Sequence, residues 1–289
     1  YRRQRQMCIR DSARVIRFGT LRIVFVRVEV VIYPGHARNL GIQKAKSGIV
    51  GFLDSNTIPS SRWLKDSMAR LNNNHSDLCL GSTLYHSNCR LGRIILASTY
   101  GFKPLSTLPG SLIRHHCLGL VGGFLPNVRA AEDIDFINRL EAFDLNIALS
   151  KLPVLSYRLQ SNNPFYYIYK WFRNYTSCAP YTSLTLQSFA LMLMTSFIAI
   201  SLAYLWNWNV ASWRVDSPLY IPNFTKIILM LFVFAYIAWR GFLLPRSKRA
   251  FSKGSCTIFD MPFILIFSFV LDLVKAAAIL HRLRYWLGR

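Results

Sequence analysis

The sequence predicts an α/β fold, in which helices and strands form layers, followed by a region of C-terminal transmembrane helices. Between residues 49 and 155, short apolar runs alternate with stretches of helical periodicity, which is the pattern of strand and helix layers. Asp54 directly follows one such run, and ligands of open α/β sheets bind at the carboxyl ends of strands. No charged residue occurs between Arg173 and Arg214, which indicates that the chain enters an apolar environment there.

The first elements lead to that carboxylate. Residues 21–33 are β-branched and partly alternating, so they predict one or two strands. Ala37–Lys46 predicts a helix, and Ser47-Gly48 predicts the turn that follows it. Ile49–Leu53 then predicts a short buried strand that ends on Asp54.

The next elements continue the alternation. Trp63–Leu71 predicts a helix, and Leu78–Leu84 predicts a strand. Asp133–Ala142 predicts a further helix, with an acidic first turn of the kind that the helix dipole favours. Ile147–Tyr157 predicts a strand, and Pro153 places part of it at a sheet edge, because proline cannot donate to a ladder.

An aromatic and basic segment precedes the apolar region. Asn163–Tyr175 interleaves tyrosine, phenylalanine and tryptophan with Lys170 and Arg173. This pattern favours an amphipathic helix at a membrane interface. A stripe of core aromatics is the alternative interpretation.

Two apolar segments predict membrane-spanning helices. Ser188–Trp206 and Ile227–Pro245 each have about the length that crosses a bilayer. The stretch from Arg246 to Lys253 carries four cations, which predicts a cytoplasmic loop on the same side as the α/β domain. Ile258–Leu280 is ambiguous, and we favour an interfacial helix over a crossing because its tail is basic.

Composition narrows the class of partner. The formal net charge is +22, from 35 Lys and Arg against 13 Asp and Glu, and the mean hydropathy is +0.25. Such a charge predicts an anionic partner, and we expect membrane lipid and a phosphorylated ligand. Nucleic acid is disfavoured, because the cations form no recognisable binding module. The six cysteines lack paired spacing, and the adjacent His115 and His116 cannot chelate one metal from a regular element, so neither a zinc site nor a disulfide framework is predicted.

Four segments in a fixed order resemble one enzyme family. They are GHARN from Gly35, DSN from Asp54, PGS from Pro109, and ED at Glu132-Asp133 after a double glycine. Together they resemble the family-2 glycosyltransferases, nucleotide-sugar enzymes with a GT-A fold. The resembling stretch covers roughly residues 30–175.

The resemblance implies roles for these residues. Asp54 and Asn56 correspond to the family's Asp-x-Asp, which holds Mg²⁺ or Mn²⁺ on the donor diphosphate, although Asn56 lacks the second charge. Arg38 would contact a phosphate or a neighbouring carboxylate. Glu132 and Asp133 would be the catalytic acidic pair, with Asp133 as the general base.

Each of these residues also has a plain structural interpretation. Asp54 would simply begin a turn, Arg38 would be a surface cation, and the acidic pair would stabilise a helix start. Pro109-Gly110-Ser111 resembles a small-residue turn beside the acceptor, or is an ordinary connecting turn. The family often has a metal-binding histidine at the end of the last strand, and residues 155–158 contain none.

Three parts follow from this interpretation. Residues 1–12 resemble a non-native leader, residues 13–180 a GT-A-like domain without its first βαβ portion, and residues 181–289 a membrane region of two to three helices. The absence of an opening strand, helix and acidic strand end predicts a fragment that lacks its start, and whose own activity is doubtful.

The predicted function is therefore membrane-anchored, inverting sugar transfer. A nucleotide-sugar would be the donor, a lipid-linked or cell-envelope glycan the acceptor, and the catalytic domain would face the cytoplasm at a multi-pass anchor. One alternative is a catalytically inactive relative, which Asn56 favours. A membrane channel or transporter is a second alternative, and the position of Asp54 and Asp133 outside the apolar spans argues against it.

Overall fold

The computed structural model describes residues 15–18, 21–73, 75–150, 152–159, 163–178, 205–208, 214–220, 224–252 and 254–287. Its first two strands, β1 (Val15–Phe18) and β2 (Leu21–Val24), pair antiparallel as a separate two-stranded sheet. The predicted β segment at residues 21–33 therefore contributes one strand.

The α/β part alternates helices and strands as predicted. In chain order the elements are α1 (Pro34–Lys44), β3 (Ile49–Gly51), β4 (Thr57–Pro59), α2 (Trp63–Asn73), β5 (Leu78–His86), α3 (Arg90–Ser98), β6 (Leu105–Arg114), α4 (His115–Val121), α5 (Glu132–Ala142), β7 (Ile147–Leu149), β8 (Leu155–Arg158) and α6 (Pro164–Cys178).

The main sheet is mixed, and its topology decides which strand ends meet. Its order is β3-β6-β5-β8-β4, and β7 also pairs with β5. Strand β6 is antiparallel to both β3 and β5, so β3 and β5 run in the same direction. The carboxyl ends of these two strands therefore lie at one end of the sheet, which we call the Asp54 end.

The prediction of a single strand over Ile147–Tyr157 is wrong. Strands β7 and β8 both pair parallel with β5, β7 along its first residues and β8 along its last. Between them the chain leaves the ladder through Pro153, and Val154 N–H donates to Ser82 O at 2.9 Å as it returns. Because proline has no N–H to donate, an uninterrupted strand is unfavourable here.

Helices cover both faces of the sheet. Leu78 and Leu80 of β5 pack in one cluster with Phe136 and Leu140 of α5, whereas Cys79 packs on the other face with Leu71 of α2. Successive side chains of a strand point to opposite faces, so this alternation gives the sheet two cores. The predicted α/β layering is confirmed in this respect.

Pro109-Gly110-Ser111 is neither a connecting turn nor a loop. It lies inside β6, where the register with β5 shifts between Cys79 and Gly81. Gly110 has φ +86°, a left-handed conformation that glycine adopts without steric cost. The small residues therefore shape a bulge in the strand.

The C-terminal part is helical. It consists of α7 (Phe224–Tyr236), a π-helical segment (Ile237–Leu243), α8 (Leu244–Ser247), a 3₁₀ turn (Ile258–Asp260) and α9 (Met261–Leu287). Helix α9 packs against α3 and α6 of the α/β part, through Phe267 and Leu271 among others.

One helix in the described residues, over Ile258–Ala278, is long and apolar enough to cross a membrane, and a third of it is buried against protein. The predicted span Ile227–Pro245 is helical, but α7, which begins at Phe224, has 13 residues and gives way to the π-helical segment at Ile237. All but the last two residues of the predicted span Ser188–Trp206 lie outside the described residues. A multi-pass anchor thus stays a prediction.

The aromatic residues of α6 fit both predicted alternatives, a stripe of core aromatics and an amphipathic helix with an accessible face. Tyr167 and Tyr175 are buried, and Trp171 packs beside them against α9. Phe165 and Tyr169 are exposed on the opposite side. One face therefore belongs to the core, and the other remains accessible.

Candidate active site

Helix α1 is docked on the loop that precedes α5. Asn39 Nδ2 donates to Phe124 O at 2.8 Å, and Phe124 N–H donates back to Asn39 Oδ1 at 2.8 Å. A Cβ on Gly35 would lie 2.2 Å from Leu125 O, so only glycine permits this approach. The sequence GHARN thus brings its arginine to the start of α5, although 94 positions separate Arg38 from Glu132.

Arg38 joins two carboxylates from different parts of the chain. Its Nη1 donates to Glu132 Oε1 at 2.5 Å, and its Nη2 donates to Asp54 Oδ1 at 3.0 Å. The guanidinium also lies over the Phe124 ring, 5.5 Å from its centroid. The side chains of Arg38 and Glu132 are 15% and 6% exposed, whereas that of Asp54 is 45% exposed. The cluster is therefore closed on the Glu132 side and open on the Asp54 side.

Burial and charge act together on this cluster. Burial opposes the charge of Arg38, but the neighbouring Asp54 and Glu132 outweigh it and raise the pKa of the guanidinium. Burial raises the pKa of the Glu132 carboxyl, the adjacent Asp133 charge adds to this, and Arg38 opposes it. Glu132 is thus held as the buried partner of Arg38, and its geometry suits a positioning residue.

Asp133 lies at the first turn of α5 on a backbone that is held in place. Ala131, the residue before the helix, adopts a left-handed conformation with φ +65°, which costs energy for a non-glycine residue. Arg139 of the same helix donates to Val121 O at 2.6 Å and to Gly123 O at 2.9 Å. These contacts fix the double-glycine turn against α5, and with it the position of the acidic pair.

The Asp54-Ser55-Asn56 segment forms a turn at the strand end. Thr57 N–H donates to Asp54 O at 3.1 Å, and the Thr57 hydroxyl donates to the same oxygen at 2.7 Å. Asp54 and Asn56 are both exposed. Carboxylate and amide oxygens on an open turn fit a hard cation such as Mg²⁺, which usually takes its other ligands from substrate phosphates and water.

Tyr85 and Tyr157, at the Asp54 end of the sheet, were not predicted as site residues. Burial, followed by the charge of Asp133, raises the pKa of Tyr85 to about 12, and Tyr157 and Asp54 contribute further. The Tyr85 ring stacks on Tyr100 at 4.2 Å and approaches the Tyr157 ring at 5.3 Å. Tyr85 lies near the carboxyl end of β5, which runs in the same direction as β3. Its position at the end of a predicted strand is the sequence signal that could have identified it.

A second polar cluster lies at the other end of the sheet. Asp77, His116 and Cys117 bring one potential ligand atom each to within 4.8 Å of one another. The prediction that the cysteines and adjacent histidines hold no metal considered spacing along the chain only. It missed Asp77, which the antiparallel pairing of β5 and β6 brings to the start of α4. The adjacency rule applied to His115 and His116 does not extend to His116 and Cys117, because the Nε2 and Sγ atoms of these successive residues lie 3.3 Å apart.

Comparisons with known proteins give limited information. No protein-family model matches the chain, and no curated protein matches it. The solved structure of S. aureus TarS 1–349 in complex with UDP-GlcNAc is similar, with a TM-score of 0.37 and 14% identity over 91% of this chain and 75% of that chain. S. aureus TarS 1–349 in complex with UDP gives a TM-score of 0.32 and 13% identity over 89% of this chain and 72% of that chain. Similarity at this level identifies neither the fold family nor the activity of the present chain.

Proposed function

We propose that this chain is a membrane-associated, inverting glycosyltransferase that moves a sugar from a nucleotide-activated donor to a lipid-linked or cell-envelope glycan. The observation that carries the proposal is the Arg38 cluster. Arg38, Asp54 and Glu132 come from three separate segments that the sequence resemblance singles out, Arg38 contacts both carboxylates, and Asp133 follows Glu132 in the chain.

The chemistry assigns each side chain a task. Asp133 accepts the proton of the acceptor hydroxyl as that oxygen attacks the anomeric carbon, and the nucleoside diphosphate departs from the opposite face. Asp54 and Asn56 would hold a divalent cation, which would supply positive charge to the diphosphate. Arg38 keeps Asp54 oriented and adds a second positive charge beside it. Glu132 anchors Arg38 from the buried side.

The membrane part of the proposal rests on α9 and on residues 246–253, which carry four cations and are called the basic loop below. Ile266, Phe269 and Leu273 are exposed along α9, on the side away from Phe267 and Leu271, which contact the α/β part. In the basic loop, Lys248 Nζ donates to Thr99 O, and Phe102 N–H donates to Lys248 O at 3.0 Å. Because the loop contacts the α/β part, both lie on the same side of any membrane, which we assign to the cytoplasm from the clustered cations.

The decisive experiment is Asp133→Asn. Asparagine keeps the size of aspartate but cannot accept the proton, so we expect transfer to fall about 10²–10⁴-fold. Transfer is measured in membranes with radiolabelled UDP- and GDP-hexoses, and donor binding is measured separately by filtration. Asp144→Asn, an exposed carboxylate beyond the end of α5, is the matched control.

The outcomes separate the two candidate functions. Near-normal transfer by Asp133→Asn would remove the base assignment. If the wild-type protein transfers no sugar but binds nucleotide-sugar, the catalytically inactive relative takes precedence, an alternative that Asn56 in place of a second acidic ligand favours.

A further inference from the structure

The cluster of Asp77, His116 and Cys117 has the ligand types of a transition-metal site. Asp77 lies directly before β5, and the other two residues begin α4. The Asp77 Oδ1 atom is 3.4 Å from His116 Nε2, and Cys117 Sγ is 3.3 Å from the same nitrogen. Carboxylate, imidazole and thiol thus converge on one point from two separate segments.

These separations match tetrahedral zinc. Zinc–nitrogen and zinc–oxygen bonds near 2.0–2.1 Å, with a zinc–sulfur bond near 2.3 Å, place nitrogen and oxygen about 3.4 Å apart and nitrogen and sulfur about 3.5 Å apart. The sulfur and the carboxylate oxygen lie within 4.8 Å of each other, and a side-chain rotation would bring them to the separation of about 3.5 Å that tetrahedral zinc requires.

The surroundings favour a site with an open fourth position. The Asp77 Oδ2 atom accepts the Asn146 N–H at 2.9 Å, which orients the carboxylate and leaves Oδ1 for a ligand bond. Cys117 is buried, whereas the His116 side chain is 59% exposed. Water can therefore complete the coordination from the solvent side.

We propose that Asp77, His116 and Cys117 bind one zinc-class ion. The cluster is distinct from the candidate active site, because Asp77 and Tyr85 are eight positions apart, about 26 Å at the rise of a strand. The ligand types also differ. A thiolate and an imidazole select zinc and related metals, whereas the oxygen atoms of Asp54 and Asn56 suit Mg²⁺. The bound ion would connect the start of β5 with the first turn of α4 and, through Asn146, with the residue before β7, and water would be its fourth ligand.

The test measures metal content and thiolate ligation in the full chain. The purified protein is stripped with a chelator, dialysed against zinc and analysed for bound metal, and a parallel sample is loaded with Co²⁺ to record the thiolate-to-cobalt absorption. We expect one equivalent of zinc and a clear charge-transfer band. Binding well below one equivalent by the folded wild-type protein would overturn the site, and would leave Asp77 and His116 as an ordinary ion pair.

Neighbouring residues supply matched variants. His116→Ala should weaken zinc binding at least tenfold, whereas His115→Ala, an exposed histidine outside the cluster, should bind as the wild type does. Cys117→Ser should abolish the cobalt band, and Cys89→Ser should keep it. Circular dichroism checks that Cys117→Ser is folded; if it is not, the pair of exposed histidine variants decides. Equal zinc affinity in the two histidine variants contradicts the proposal.

Discussion

Two arginine clusters, one in the α/β part and one in the C-terminal helices, use the same groups in different settings. Arg38 contacts Asp54 and Glu132, and Asp54 remains 45% exposed. Arg240 of the π-helical segment contacts Asp272 of α9 through Nε at 2.8 Å and through Nη2 at 2.9 Å. The side chains of this second pair are only 6% and 1% exposed.

The difference in exposure between Asp54 and Asp272 shows which of the two carboxylates is accessible to a ligand. Asp272 also accepts the Tyr236 hydroxyl at 3.1 Å and lies 3.4 Å from Lys275 Nζ, so protein groups surround both of its oxygens. A carboxylate enclosed in this way holds helices together, because separating it from its partners would leave a buried charge. Asp54 keeps an accessible side, as a group that contacts a diphosphate or its cation must.

The largest expected effect therefore belongs to the closed cluster. Asp272→Asn leaves Arg240 and Lys275 without their common anion, and we expect a loss of about 3–5 kcal/mol in the free energy of unfolding. Urea denaturation followed by tryptophan fluorescence measures it, with Asp144→Asn as the exposed control. A loss no larger than that of the control would mean that the two clusters do not differ in the proposed way.

An intermediate effect is expected for the buried side of the open cluster. Glu132→Leu keeps the volume but removes the acceptor of Arg38, which retains Asp54. We expect a loss of about 1.5–3 kcal/mol, the usual range for a hydrogen bond to a charged group. Transfer should also fall, because Arg38 and Asp54 lose their fixed orientation. If Glu132→Leu left the stability unchanged and lowered transfer as much as is expected for Asp133→Asn, Glu132 would instead be the base.

The smallest effect on stability is expected for Asp54→Asn. The pair with Arg38 is partly solvated, so its loss should cost about 0–1 kcal/mol. Donor affinity should fall nonetheless, because the cation and diphosphate lose a charged oxygen. A titration of the variant with nucleotide-sugar in the presence of Mg²⁺ measures this. Unaltered affinity would place the diphosphate elsewhere.

Short-range physics explains the parts that the sequence predicted well. The predicted helices at Ala37–Lys46 and Trp63–Leu71, and the predicted strand at Leu78–Leu84, match α1, α2 and β5 within a few residues. Each is set by periodic burial and by turn residues within its own segment. The place of Asp54 after a strand follows from the same local pattern.

Contacts between distant segments decided the rest. The sequence by itself determined that Asp54 and Glu132-Asp133 would stand at element ends, whereas Arg38, predicted near a helix start, lies in the second turn of α1. Only the docking of α1 on the loop at Phe124 determined that Arg38 would join two carboxylates and leave Asp54 open. Likewise, the division of residues 147–157 between two strands and the meeting of Asp77 with His116 and Cys117 depend on pairing with β5 and β6. Such pairing joins residues far apart in the chain, and local periodicity carries no information about which strands become neighbours.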